Sequence, residues 1–255
     1  MKAPNTSPAH VAPVPNEPPM NPDDLAALAV AFGVLSRAFW EEPQDGIVDA
    51  LAASRADLAG EPFASIAPLG AADLECALDA YAGDPKEQMG LIKQDRAYLF
   101  YEIGYSRTSP YESAYRTPDR TLFGPTTEQV KHDYERHGLA FERRGNEPSD
   151  HFALECAYVQ QIALAGVDAA DCGDQAAFEG ACNEVRRFLS THLLVFAPVY
   201  LHNLIARATT VFYRSLGEVA LETVRWAAKR TGARPVEVLD QADFPLQVRQ
   251  AGKEY

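Results

Sequence analysis

Two short stretches hold the residues whose types and spacing could do chemistry. The first runs from Tyr98 to Tyr115 and carries six aromatic side chains in eighteen residues, with Pro110 opening a loop in its second half. Aromatic rings on a loop offer large contact area with few rotors to freeze, which suits a groove for an apolar peptide. The same rings could instead pin the loop to its own core. The second stretch is Glu147-Pro148-Ser149-Asp150-His151. Pro148 holds the residue before it extended. Ser149 can cap a following helix, and Asp150 complements its positive end. A histidine in a first helical turn is pushed toward its neutral form by the helix dipole. A polar cluster between two halves of the molecule and a well-capped helix both account for this pattern.

Other arrangements give no chemistry. Asp150 and His151 are adjacent, so on a helix their side chains diverge and form no relay. No G-x-S-x-G supplies a nucleophile, and no G-x-x-x-x-G-K-[ST] loop is present to cradle phosphates. His132 and His137 are five apart and miss the i, i+4 spacing of a helical metal pair. His192 and His202 stand alone and read as structural, and His10 lies near the N-terminus. Cys76, Cys156, Cys172 and Cys182 form no C-x-x-C pair or zinc set, which fits a reducing compartment. The expectation is therefore a non-enzyme with no catalytic residue, metal or cofactor. The net charge of -13 argues against nucleic acid, whose phosphates need Lys and Arg. It is compatible with a basic peptide partner and equally with mere solubility.

The elements that must position these residues read as helices throughout. Residues 1–22 contain seven prolines and form an extended, disordered tail with no apolar h-region of a signal peptide. Asn21-Pro22-Asp23-Asp24 opens a helix that runs to Trp40 and stops at Glu41-Glu42-Pro43. Helical spacing continues at about 45–57, 71–82 and 86–104. Pro125 starts another helix, with a Thr126-x-x-Gln129 capping box, which ends at Gly138. A helix follows from Ser149 to about Ala165, with others near 174–194, 197–215 and 217–230. No alternating β-branched pattern appears, so the fold class is all-α with no sheet. The division expected is a tail over 1–22, an N-terminal helical lobe over 23–140, a polar hinge over 141–149 and a C-terminal helical lobe over 150–255. Apolar stretches are read as broken by charges before the roughly 18–20 residues of a membrane span. The protein is thus expected to be cytoplasmic, without stable membrane insertion.

Taken together, these motifs resemble the TorD/DmsD family of redox-enzyme maturation chaperones, over about residues 25–216. Glu147, Pro148, Asp150 and His151 match its Glu-Pro-x-Asp-His motif. Tyr98-Leu99-Phe100 looks like its aromatic-Leu-Phe step, and Pro110-Tyr111-Glu112-Ser113-Ala114-Tyr115 like its Pro-aromatic-x-Ser-x-aromatic segment. Thr121-Leu122-Phe123-Gly124 precedes the next helix as in the family, and Phe188, His192-Leu193, Pro198 and Phe212-Tyr213 follow its C-terminal pattern. Two departures stand out: the aromatics flanking Ser113 are tyrosines where tryptophan is common, and Arg96 stands where an aromatic often sits. The resemblance implies a two-lobed helical bundle that binds the twin-arginine leader or the apoprotein of a molybdopterin oxidoreductase catalytic subunit. It assigns the peptide-binding role to Leu99, Phe100, Pro110, Tyr111, Ser113, Tyr115, Glu147, Pro148, Asp150 and His151. A homodimer, swapped across a flexible linker, is compatible with it. Competing readings are a weak nucleotide-binding hydrolase, against which the missing phosphate loop counts, and a helical adaptor that binds a folded redox-enzyme subunit without leader recognition.

Overall fold

The computed structural model describes residues 19–101, 108–117, 119–141 and 147–244. Most of the expected tail and the centre of the expected hinge, residues 142–146, lie outside them. Among the described residues the fold is helical and no sheet is present; one isolated antiparallel bridge joins Tyr111 to His151.

The first helix, α1 (Pro22–Trp40), begins as its sequence dictates. Asn21 accepts from the Asp24 amide, and the Asp24 side chain accepts from the Asn21 amide in return. The expected tail is anchored at its end, because the Pro19 carbonyl accepts from Arg230 and Met20 packs on the core. The stretch expected at 45–57 divides into α2 (Ile47–Ala53) and the single turn α3 (Arg55–Leu58), followed by the single turn α4 (Phe63–Ile66). Then come α5 (Pro68–Gly83) and α6 (Pro85–Phe100). The one-turn α7 (Ser113–Arg116) precedes α8 (Pro125–Arg136). Gly138 takes the left-handed position after α8, with φ of 67°. Thr126 does not cap α8; Gly124 occupies that position without a side-chain bond and Pro125 opens the helix.

The second half starts three residues later than its sequence suggests. The helix α9 (Phe152–Asp171) is capped by His151, whose Nδ1 accepts from the Ala153 amide, and Ser149 lies outside it. Next, α10 (Gln175–Phe188), a π-helical turn (Leu189–Leu193) and α11 (Leu194–Arg207) form one uninterrupted run. The break expected near 195 is absent. It falls instead at 208–210, before α12 (Val211–Thr231). There the buried Asp95 of α6 accepts from the amides of Thr209 and Thr210 and from the Thr210 hydroxyl, at 2.6–3.1 Å. A remote carboxylate thus holds the cap residue Thr210, whose hydroxyl accepts from the Tyr213 amide, and so helps set where α12 begins.

Residues 188–206 carry no Asp, Glu, Lys or Arg, contrary to the expectation of charge-broken stretches. The run Gln175–Arg207 is long and apolar enough to cross a membrane, but 72% of its apolar window is buried inside the fold, as in a core helix.

Helices from both ends of the chain share one core. Leu25, Leu28, Phe32 and Phe39 of α1 are buried, and α1 lies along α9. α5 lies along α12, and Gly70 permits the approach: a Cβ there would stand 2.8 Å from the Val219 backbone nitrogen. Backbone cannot move aside as a side-chain tip can. Gly70→Ala is therefore expected to destabilise the fold by about 1–3 kcal/mol. A lower urea midpoint at unchanged slope checks this, and an unchanged midpoint refutes the close approach.

Candidate functional site

Four chain segments converge beside the start of α9. The end of α1 brings Phe39, Trp40 and Glu42. The last turn of α6 brings Arg96, Phe100 and Tyr101. The loop before α7 supplies Pro110 and Tyr111, and the residues ahead of α9 supply Glu147 and His151. Between them lies a cavity of about 110 Å³, the size of a side-chain head rather than of a folded segment.

Its position is fixed by backbone. Tyr111 and His151 pair in the isolated bridge, the Phe152 amide donates to the Pro110 carbonyl at 2.7 Å, and the Glu112 amide donates to the Asp150 carbonyl at 3.0 Å. The rings of Trp40 and Tyr111 each meet the His151 ring edge-on, with centroids 5.2 Å apart. Two carboxylates face the cavity. Glu42 accepts from Arg96 at 2.9 and 3.2 Å and from the Tyr101 hydroxyl at 2.7 Å, and Glu147 accepts from the Tyr111 hydroxyl. Burial and the Glu147 carboxylate push the Tyr111 phenol upward, so it stays a donor. Burial, aided by the Arg96 charge, pushes His151 down to about 3, so its ring is neutral. The Arg96 guanidinium lies 5.3 Å over the Phe100 ring, a cation–π contact in the cavity wall. Carboxylates and electron-rich ring faces together favour a planar cation.

The residues singled out in the sequence fall into two groups. Phe100, Pro110, Tyr111, Glu147 and His151 line the cavity. Leu99, Ser113, Tyr115, Pro148 and Asp150 are buried behind it. Tyr115 points inward because Ser113–Arg116 coils into α7, which sets its ring against Phe196 and Phe244 at 5.7 and 5.1 Å. Asp150 has no exposed surface. Its oxygens accept from the Ser113 amide at 2.7 Å and the Thr127 hydroxyl at 2.8 Å. In this arrangement it ties the loop to α8 and does not face the cavity. Sequence reasoning missed Trp40, Glu42, Arg96 and Tyr101 as cavity residues. In the sequence Arg96 stands out only as a departure from the family pattern and Tyr101 only as one of the aromatics of 98–115; helix-end position does not reveal that those ends meet. Among the described residues no cluster of three or more His, Cys, Asp or Glu could hold a metal ion.

The cavity is shallow, acidic and aromatic, and it is set on an all-helical body with the buried polar residues Ser113, Ser149 and Asp150 behind it. The family model described as nitrate reductase delta subunit matches residues 68–201, more than half the chain, and the chain belongs to this TorD/DmsD family. It is 28% identical over 121 residues to the Tat proofreading chaperone DmsD of Salmonella typhi, covering 47% of this chain and 52% of that one. It is 24% identical over 134 residues to a probable Tat proofreading chaperone DmsD of Haemophilus influenzae, covering 52% and 59%. It is 28% identical over 109 residues to the chaperone protein TorD of Vibrio cholerae, covering 43% and 48%. The chain spans about half the length of the curated relatives it matches.

Asp150→Ala leaves the buried Ser113 amide and Thr127 hydroxyl without their acceptor and is expected to cost about 1–3 kcal/mol or more. An unaltered denaturation midpoint would refute its role as a tie. His151 also sets a pH dependence. Its folded pKa lies below its ordinary value near 6.5, so its contribution is intact above that value and is lost as pH falls toward about 3. His151→Asn keeps a capping side chain, and chemical denaturation between pH 7 and pH 4 should show a flatter decline than the parent, by up to about 1.4 kcal/mol per pH unit.

Proposed function

We propose that this chain is a cytoplasmic maturation chaperone that binds the twin-arginine leader, or the apoprotein, of a molybdopterin oxidoreductase and holds it until the cofactor is inserted. The observation that carries this reading is the pairing of Glu42 and Glu147 among the rings of Trp40, Phe100, Tyr101 and Tyr111. A leader combines arginines with an apolar helix-forming stretch. Its guanidinium would find carboxylates for bidentate bonds and ring faces for stacking in one small cavity. Tyr101, 61% exposed at the rim, adds apolar surface for the residues that follow. A nucleotide phosphate brought to the same cavity would meet two carboxylates, and the one guanidinium among its described lining residues, that of Arg96, is already paired with Glu42, so the geometry does not favour the hydrolase reading there.

The test is titration with a synthetic peptide containing an Arg-Arg pair and an apolar stretch. Tyr111→Ala removes a ring from the wall and is expected to cost about 2 kcal/mol, roughly 30-fold in affinity. Glu147→Gln should cost less, and its loss should shrink as salt rises. If both folded variants bind like the parent, the peptide site is elsewhere.

A further inference from the structure

Behind the cavity loop lies a second polar cluster, buried and not used by the peptide reading. His192 is 3% exposed and sits on the π-helical turn Leu189–Leu193, a rare conformation that gathers at functional positions. Its Nδ1 is 2.9 Å from Oε2 of Glu112 and its Nε2 is 3.1 Å from Oδ2 of Asp133. An ionised carboxylate only accepts, so a ring that bonds one on each side must carry a proton on both nitrogens.

The surrounding groups fit an imidazolium. On the α7 side, Arg116 bonds Glu112 at 2.7 Å and meets Glu237 of the C-terminal segment at 3.5 Å. On α8, Arg136 bonds Asp133 at 2.8 Å. From α10, Arg187 reaches Asp133 at 2.8 Å and also bonds Glu184, which accepts from Tyr158 of α9 and lies 3.6 Å from His137. Glu155 of α9 is fully buried, and burial together with Glu112 and Asp150 raises its carboxyl well above the ordinary range, so it keeps its proton. Four carboxylates, those of Glu112, Asp133, Glu184 and Glu237, then stand against three guanidiniums and the ring. Neutralising the ring would take the proton donor away from either Glu112 or Asp133, both of them buried away from water.

Glu112 follows Tyr111 directly. We propose that protonated His192 is a positioning residue: it clamps Glu112 to Asp133 from behind, and so holds the loop that carries Tyr111 against His151 and the cavity. Loss of its proton turns one nitrogen into a lone pair facing a carboxylate and loosens that loop. Although burial works against its charge, the bonds to Asp133 and Glu112 raise the ring above its ordinary value. The clamp is therefore complete below about pH 6.5 and is lost as pH rises through the folded value. Other groups at the cavity do not imitate this change, since Tyr111 is raised and His151 titrates far to the acid side. That the loosening weakens cationic-peptide binding rests on the proposed function.

Trp40, against His151, supplies a readout that needs no peptide. The full chain with Trp226→Phe is titrated between about pH 6 and pH 9.5 while Trp40 emission is followed. The expected result is a step that is absent from His192→Gln and moved to lower pH in Glu112→Gln, which removes one of the two carboxylates while leaving the ring in place. Across the step, affinity for an N-acetylated Arg-Arg peptide should fall about tenfold, the change carried by one linked pKa unit. No step in the parent, or a step of unchanged midpoint in both variants, overturns the proposal. A step that behaves as expected in a protein that binds no peptide supports the clamp and overturns the peptide reading of the cavity.

Discussion

One buried carboxylate orders everything around the cavity. Asp150 reaches the Ser113 amide with one oxygen and the Thr127 hydroxyl with the other, while its own carbonyl accepts from the Glu112 amide. The entry to α7, the first turn of α8 and the approach to α9 are thereby fixed to a single residue. A carboxyl group this far from water is tolerated because a donor meets each of its oxygens. Once it is placed, Tyr111 has nowhere to lie but beside His151, and the cavity wall follows from that.

The same logic recurs elsewhere in the molecule. Asp95 holds Thr210, the cap of a helix more than a hundred residues distant in the chain, and the Asp24 carboxylate takes two nitrogens of Arg230 at 2.6 Å across the two ends of the fold. Each of these side chains satisfies donors that the local sequence leaves open. Polar residues thus fix the order and register of helices whose attraction is otherwise unspecific apolar burial.

What could be read in the sequence was what neighbours in sequence decide. Asn21 and Asp24 cap α1 because both partners lie within four residues, and Gly138 ends α8 because only backbone conformation is at stake there. The all-helical class followed from spacing alone. The start of α9 was misplaced because Ser149, a good cap by type, is overruled by the bridge that pulls the chain back to Tyr111. His192 looked solitary because its partners are 80 and 59 residues away. Asp150 and Tyr115 were picked out by type and order, but their inward orientation belongs to packing. Glu42 was passed over, and Arg96 stood out only as a departure from the family pattern, because the ion pair they make forms only when the end of α1 meets α6.

The pairing of α1 with α9 also has a consequence during synthesis. The apolar stripe of α1 leaves the ribosome about 130 residues before its partner helix, a delay on the order of ten seconds at typical elongation rates. Its tie to Arg230 on α12 comes later still. For that interval the nascent chain displays an unpartnered hydrophobic helix, and its long-range contacts must wait for the last helix to emerge.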